Sequence, residues 1–202
     1  MKFQKYMAVG ILGLTMALGF SGCQSENQKN QDAYRKIGIN SMAEGDYDKA
    51  VKSFQKALDT SLGKIGAEEI DICYYKAAAQ FAKKDYDGAI ETYTSLIDYD
   101  KENSNAYYLR GSVYLDTDKK DKAFKDYKNA VKYAGREYEI YEGIYENLTN
   151  KGETEEAKNY LKKALDIKPK DGADYAEQGH VYYLLEAVSY THLRAHETSQ
   201  DL

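Results

Sequence analysis

Small and large apolar residues recur at helical spacing along most of the chain. In one stripe, an alanine is followed four residues later by a large apolar residue, and three residues after that by another alanine. The stripe occurs as Ala50, Phe54 and Ala57, as Ala123, Tyr127 and Ala130, and as Ala157, Leu161 and Ala164; a variant reads Ala89, Tyr93 and Leu96. Because residues three and four apart share one helix face, each stripe predicts an amphipathic α-helix.

A second stripe pairs an aromatic residue with a small residue four positions later. The pairs are Tyr34 and Gly38, Tyr107 and Gly111, and Tyr175 and Gly179, with Cys73 and Ala77, and Tyr141 and Tyr145, in the equivalent places. Both members of a pair lie on one helix face. We expect the small residue to let a neighbouring helix approach closely, while the aromatic ring fills the space between helix pairs.

A polar phrase that is typical of a turn separates the two stripes and returns four times. It reads Gly45-Asp46-Tyr47-Asp48-Lys49-Ala50, Lys84-Asp85-Tyr86-Asp87-Gly88-Ala89, Asp118-Lys119-Lys120-Asp121-Lys122-Ala123 and Gly152-Glu153-Thr154-Glu155-Glu156-Ala157. The closing alanines lie 39, 34 and 34 residues apart. A fixed period near 34 residues predicts a helix–turn–helix repeat array, because a generic helical bundle does not keep such a register.

This combination of alanines, aromatics and period resembles the tetratricopeptide repeat. The resemblance covers residues 31–186 and implies an all-α solenoid of four full units and the first helix of a fifth. Five extra residues separate the first two units, and we place them within residues 60–67, which contain the helix breakers Gly63 and Gly66. Pro169 follows the fourth unit, where the family commonly has a proline and where it disturbs no helix.

The N-terminus has the layout of a secretory signal. The basic start Met1-Lys2-Phe3-Gln4-Lys5 precedes an apolar run over residues 7–20, and the small residues Ser21-Gly22 precede Cys23. The end of this segment resembles a bacterial lipobox, although Phe20 stands where leucine is usual. The resemblance implies cleavage before Cys23, lipid attachment to Cys23, and an anchor on the extracytoplasmic side of the bacterial cell membrane. An ordinary secreted protein with a chance cysteine is the alternative.

The sequence predicts four segments along the chain. Residues 1–22 are the predicted lipoprotein signal peptide, and residues 23–30 are the lipidated cysteine and a polar, flexible tether. Residues 31–186 form the repeat array. Residues 187–202 contain a stretch, Val188 to Thr198, that resembles translated sequencing-adaptor read-through, so we predict a non-native tail and exclude it from the fold.

Composition narrows the possible chemistry. The 202 residues carry a formal charge of −5, which argues against nucleic-acid binding, and mean hydropathy is −0.73, so no segment beyond the signal is expected to span a membrane. His192 and His196 lie four residues apart but lack a third ligand, so we expect no metal site. Cys73 is expected to pack as a small hydrophobe. Without a recognisable catalytic set or phosphate-binding loop, we expect neither enzymatic activity nor a cofactor or small-molecule substrate.

The family resemblance implies that the first helices line a concave groove that binds a protein or peptide partner. The predicted groove residues are Arg35, Met42, Tyr74, Phe81, Tyr108, Leu115, Glu142 and Glu146. Their neighbours on the same faces are Ile39, Ala78, Ser112, His180 and Tyr183. The middle of this groove is aromatic and apolar, and its end is acidic. For the aromatic members, packing between repeats is the competing interpretation.

One class of tetratricopeptide-repeat protein grips a terminal carboxylate with basic and polar side chains. Ile39, Tyr75 and Leu109 occupy those places here, so we reject a carboxylate clamp. The sequence therefore favours a membrane-anchored adaptor or envelope-assembly factor. The alternative is an accessory subunit of an envelope enzyme or secretion complex.

Overall fold

The computed structural model describes the backbone of residues 26–61, 63 and 65–200, and the side chains of these residues as far as Glu186. This part of the chain forms nine α-helices and no β-strand. The helices are α1 (Glu26–Ala43), α2 (Tyr47–Asp59), α3 (Ala67–Ala82), α4 (Tyr86–Tyr99), α5 (Ser104–Asp116), α6 (Lys120–Tyr133), α7 (Tyr138–Asn150), α8 (Thr154–Ala164) and α9 (Gly172–Gln200). The predicted signal peptide and Cys23 lie outside the described residues.

The helices stack as consecutive hairpins. Within a unit α1 packs on α2, α3 on α4, α5 on α6 and α7 on α8, and each second helix also contacts the first helix of the next unit. α9 follows α8 as a single helix. The predicted solenoid of four full units and the first helix of a fifth is confirmed. Among the described helices, none combines the length and the apolar character needed to cross a membrane.

All four hairpins turn in the same way. Three residues connect the paired helices, and the middle one has a left-handed backbone in Gly45 (φ 79°), Lys84 (φ 68°), Asp118 (φ 56°) and Gly152 (φ 81°). The next residue donates its N–H to the carbonyl five residues back, as Asp46 does to Ser41 at 2.9 Å and Asp85 to Gln80 at 2.8 Å. This pattern satisfies the free carbonyls at the end of the first helix. The repeated polar phrase is therefore the turn.

The small residues of the first helices receive the large rings of the second. A Cβ atom built on Gly38 would lie 2.5 Å from the Phe54 ring, and one on Gly111 would lie 2.8 Å from the Tyr127 ring. Phe54 and Tyr127 are fully buried, as are the four alanines that close the repeated phrases. The close approach that the two stripes predict is thus present in the first and third units.

The core runs the length of the array as three adjoining clusters. The first joins units one and two around Phe54 and Ile72, and the second joins units two and three around Tyr93 and Val113. The third and largest extends from Leu115 to Val181 and covers units three to five. Tyrosines supply much of this packing, since Tyr93, Tyr127 and Tyr138 are among the largest fully buried side chains.

A buried ion pair joins the helices in the middle of the array. The Arg110 guanidinium on α5 donates from Nε to Asp126 Oδ2 at 2.7 Å and from Nη2 to Oδ1 at 2.8 Å, and its Nη1 reaches Thr94 Oγ1 on α4 at 2.9 Å. The Arg110 and Asp126 side chains are only 15% and 4% exposed. One arginine thereby holds three consecutive helices in a fixed arrangement.

The structure corrects one predicted boundary. α1 begins at Glu26, so the predicted flexible tether is helical over its last five residues, where glutamate, asparagine, glutamine and lysine contain no helix breaker and remain exposed. At the other end of the array, α9 continues as one helix to Gln200, without a backbone turn near Glu186.

The five extra residues of the first unit are divided between a loop and a helix. The connection from α2 to α3 has seven residues against four between α4 and α5, and α3 has 16 residues against 13 in α5. α2 is in turn one residue shorter than α4. The insertion therefore lengthens α3 as well as the predicted loop. Pro169 lies between α8 and α9, outside any helix, as predicted.

Gly111 and Gly179 occupy equivalent places in their repeats, but replacement by alanine is expected to have opposite effects on stability at the two positions. Gly111→Ala forces a Cβ against the Tyr127 ring, and overpacking of this kind costs about 1–3 kcal/mol. Gly179→Ala meets no atom within 4 Å, and alanine is favoured over glycine in a helix by roughly 1 kcal/mol. We expect the first variant to melt at a lower temperature than the parent and the second to be unchanged or more stable. Equal melting temperatures would contradict this assignment.

The alanine of the second helix gives an independent check. Ala123 is fully buried, whereas Lys125 on the same helix is exposed. We expect Ala123→Leu to lower the free energy of unfolding by about 1–3 kcal/mol. Lys125→Leu serves as the matched control, since exposed substitutions usually stay within about 0.5 kcal/mol. Denaturant unfolding of both variants measures the difference, and a Lys125 variant as unstable as the Ala123 variant would show that the register is wrong.

Candidate partner-binding groove

The predicted groove residues lie on the first helices of the units, which pack side by side. α1 contacts α3, and α5 contacts α7, in addition to the contacts within each hairpin. The side chains that project between these helices are therefore shared by two units. For each predicted residue, the structure shows whether its side chain is used in that packing or remains accessible.

At the first unit, Arg35 spans the space between α1 and α3. Its Nε atom donates to Asp71 Oδ2 at 3.0 Å, its Nη2 atom bonds the same oxygen, and the guanidinium lies 5.3 Å from the centre of the Tyr75 ring. About a third of the Arg35 side chain stays exposed. Met42, also predicted, is half-buried against the first core cluster. Arg35 thus acts first as a bridge between units.

Tyr74 and Phe81 lie on α3, in the middle of the predicted groove. The Tyr74 hydroxyl donates to Asn103 Oδ1 at 2.6 Å, and Asn103 also caps α5 by accepting the N–H of Ala106. Burial raises the pKa of Tyr74, although the hydrogen bond to Asn103 works in the opposite direction. The Phe81 ring is half-buried, with its centre 5.6 Å from that of Tyr86. Both side chains therefore take part in packing, and the polar tip of Tyr74 is already bound.

Tyr108 on α5 reaches across to α7. A Cβ atom built on Gly143 would lie 2.3 Å from the Tyr108 hydroxyl oxygen, so a glycine at 143 is what lets the two helices share this ring. Next to it, Asn147 Nδ2 donates to Ser112 Oγ at 2.8 Å. Gly143 and Asn147 were not predicted from the sequence, because neither breaks the repeat pattern in a way that marks a contact to the preceding unit.

Leu115 is a wrong prediction for the groove surface. Its side chain is only 2% exposed and belongs to the largest core cluster, together with Ile144 and Leu148 of α7. Ala78 and Ser112, named as its neighbours, are buried as well. Phe81 occupies the equivalent place one unit earlier and remains half-exposed. The repeat register therefore did not predict how deeply Leu115 is buried.

The acidic end of the predicted groove is formed by Glu142 and Glu146 on α7. Glu142 Oε1 lies 2.9 Å from His180 Nδ1 on α9, and the Glu142 side chain is 17% exposed. Burial raises the pKa of Glu142; His180 opposes this effect, and Glu177 and Glu139 add to it. Glu177 was not singled out from the sequence, although its spacing of three residues from His180 was a readable signal.

Cys73 is half-buried in the second core cluster and forms no disulfide. Burial raises the pKa of its thiol, which keeps it protonated and unreactive at neutral pH. The arrangement therefore offers a surface for binding: an arginine already paired with an aspartate at one end, half-exposed aromatic rings in the middle, and carboxylates at the other end. The assignment of these residues to partner binding stays a prediction.

Comparison with known proteins agrees with this architecture. A family model described as "TPR repeat" matches residues 77–118, and one described as "Tetratricopeptide repeat" matches residues 32–61, 104–136 and 146–171. No curated protein matches this sequence.

Several solved structures have the same fold. A crystal structure of MamA is 25% identical with a TM-score of 0.53, covering 68% of this chain and 78% of MamA. MamA from Desulfovibrio magneticus RS-1 is 21% identical with a TM-score of 0.54, covering 70% and 76%. A thermophilic TPR protein from Thermus thermophilus is 17% identical with a TM-score of 0.53, covering 77% and 82%. With its repeated turns, paired helices and matched repeats, the chain is an all-α solenoid of tetratricopeptide repeats.

Proposed function

We propose that this protein is a scaffold on the extracytoplasmic face of a bacterial cell membrane, where it binds a protein or peptide partner as an adaptor or envelope-assembly factor. The observation that carries the proposal is a pair of half-buried aromatic side chains, Phe81 and Tyr108, on the first helices of two successive units. Aromatic residues provide large contact area at low entropic cost and dominate binding energy at protein interfaces.

The shape of this surface favours a partner segment over a small molecule. Phe81 and Tyr108 lie on the first helices of successive units, and the carboxylates of Glu142 and Glu146 follow on the next first helix. A partner that contacts all three helices must be extended, with apolar side chains for the aromatic middle. Lysine or arginine at its far end matches the acidic end of the groove.

Packing between units supports the use of this surface for binding. Arg35 with Asp71, Tyr74 with Asn103, and Tyr108 beside Gly143 fix neighbouring first helices relative to each other. A surface that is already ordered loses little conformational entropy when a partner binds. These contacts therefore favour recognition by a preformed groove.

Membrane attachment is proposed from the sequence alone. The basic start, the apolar run over residues 7–20 and the small residues before Cys23 match a lipoprotein signal. A single acyl chain gives only marginal membrane binding, so stable attachment takes the multiple chains that the lipobox resemblance implies. Because α1 begins at Glu26, a lipid on Cys23 would hold the repeat array close to the bilayer.

The binding face can be mapped by site-specific photo-crosslinking in the native envelope. We expect p-benzoylphenylalanine in place of Phe81 or Tyr108 to capture the same partner. The same replacement at Tyr99, an exposed aromatic at the end of α4, serves as the control. Capture from Tyr99 without capture from Phe81 or Tyr108 would place binding outside the groove.

The captured partner then allows an affinity measurement. Phe81→Ala should weaken binding by ~2 kcal/mol, about thirtyfold, because truncating a central aromatic anchor commonly has this effect. Tyr99→Ala should leave the dissociation constant unchanged. Circular dichroism checks that both variants keep their helices, and equal affinities in two folded variants would refute the groove assignment.

Lipid attachment has a matched control within the chain, because the sequence contains only two cysteines. Cys23→Ala should abolish incorporation of a fatty-acid probe and release the protein from washed membranes. Cys73→Ala should leave labelling and membrane retention intact, since Cys73 lies in the repeat core. Unchanged labelling of the Cys23 variant would contradict lipidation at this residue.

A further inference from the structure

Three side chains from two helices converge at the acidic end of the groove. Glu142 lies on α7, and Glu177 and His180 lie on α9. One potential ligand atom from each of the three residues lies within 4.8 Å of the other two, and His180 Nδ1 is 2.9 Å from Glu142 Oε1. The sequence did not reveal this set, because Glu142 and His180 are separated by 38 residues.

Local structure orients the donor atoms toward one point. Glu177 and His180 are three residues apart on α9, a spacing that places two side chains next to each other on a helix surface. The imidazole of His180 stacks on Tyr183, with ring centres 6.4 Å apart and an interplanar angle of 15°. In this orientation Nδ1 points toward Glu142 on α7.

The charge at this point is unbalanced. The groups that act electrostatically on Glu142 include the carboxylates of Glu177 and Glu139, and the opposing partner is His180. Three carboxylates therefore act near a single imidazole. A bound divalent cation removes this excess.

We propose that Glu142, Glu177 and His180 form a binding site for a divalent transition-metal ion, with Zn²⁺ as the reference ligand. Zinc binds imidazole nitrogen and carboxylate oxygen at about 2.0–2.2 Å, which sets neighbouring ligand atoms roughly 3.3–3.5 Å apart in a tetrahedral site. The separation of 2.9 Å between His180 Nδ1 and Glu142 Oε1 is a little shorter than this spacing, and all three ligand atoms lie within 4.8 Å of one another. Imidazole favours zinc and its neighbours over Mg²⁺ or Ca²⁺, which take oxygen ligands.

Coordination replaces the hydrogen bond between His180 and Glu142. In the metal-bound form, Nδ1 and Oε1 are both ligands, together with an oxygen of Glu177. The proton on Nδ1 exchanges through solvent to Nε2, so the ring stays neutral and the Nδ1 lone pair is available to the metal. Three protein ligands leave a fourth position for water or for a donor group of a bound partner. This site does not depend on the partner proposed above, because the three ligands all belong to the chain itself.

The consequence for the fold is a link between α7 and the last helix. α9 is otherwise held near this point by the ion pair of Arg136 with Asp174, by the hydrogen bond from Gln178 Nε2 to the Ile167 carbonyl at 2.6 Å, and by the buried Val181. A metal ion shared between Glu142 and the two α9 ligands fixes this helix directly to the preceding unit.

Zinc binding to the full chain tests the proposal. Because the sequence contains two other histidines, His192 and His196, the measurements use a background in which both are alanine. We expect one equivalent of Zn²⁺ to bind in competition with a chromophoric chelator, and Mg²⁺ at the same concentration not to compete. Hydrogen exchange over residues 174–185 should slow when zinc is added.

Single substitutions separate coordination from general charge attraction. His180→Ala and Glu177→Gln should each weaken zinc binding by at least about tenfold, because even groups outside the ligand set change affinity by about 10–100-fold. Glu139→Gln removes a nearby charge without removing a ligand, and should change affinity no more than about threefold. Glu91→Gln, exposed on α4, should have no effect.

The opposite results overturn the proposal. The site does not exist if the background protein binds no zinc, or if its zinc affinity and hydrogen exchange are the same after His180→Ala and Glu177→Gln. Equal weakening by Glu139→Gln and Glu177→Gln also refutes it, because the effect is then one of net charge. Circular dichroism confirms that the variants stay folded, as expected from the half-exposed position of His180.

Discussion

The close approach of the two helices in a hairpin is the constraint on which this solenoid depends. Gly38 and Gly111 leave a notch that the rings of Phe54 and Tyr127 fill. The alanines of the second helices are also small and fully buried. Interiors are packed so densely that a single methyl group in such a notch is felt. Each second helix can then also contact the first helix of the next unit, which extends the core along the array.

The repeat period and the turn phrases were sufficient to predict the fold because both are local. Each turn needs one residue with a left-handed backbone and a hydrogen bond between residues five apart, and each helix carries its own stripe of small and apolar residues. The boundaries were predicted less well. α1 starts before the repeat pattern does, since a polar stretch without breakers extends a helix that is already anchored by the core.

The groove was predicted only in part, because side-chain burial depends on the neighbouring unit. Leu115 and Phe81 occupy equivalent positions, yet Leu115 is covered by residues of α7 that no local pattern connects to it. Tyr74 was weighed as a binding residue, but its hydroxyl is bound to Asn103, 29 residues away. The sequence identifies which helix face a residue occupies, whereas contacts between units decide whether that face is open.

The three adjoining clusters are unequal, and this inequality bears on the order in which the array folds. Contacts in a solenoid are made between neighbouring units, so chain entropy lost on loop closure is small and folding can begin at any unit and spread to the next. The largest cluster joins units three to five, and Arg110 with Asp126 ties unit three to α4. The C-terminal half therefore holds the larger share of the buried core. A chain emerging N-terminus first then has to wait for its later repeats before the earlier ones gain their full stability.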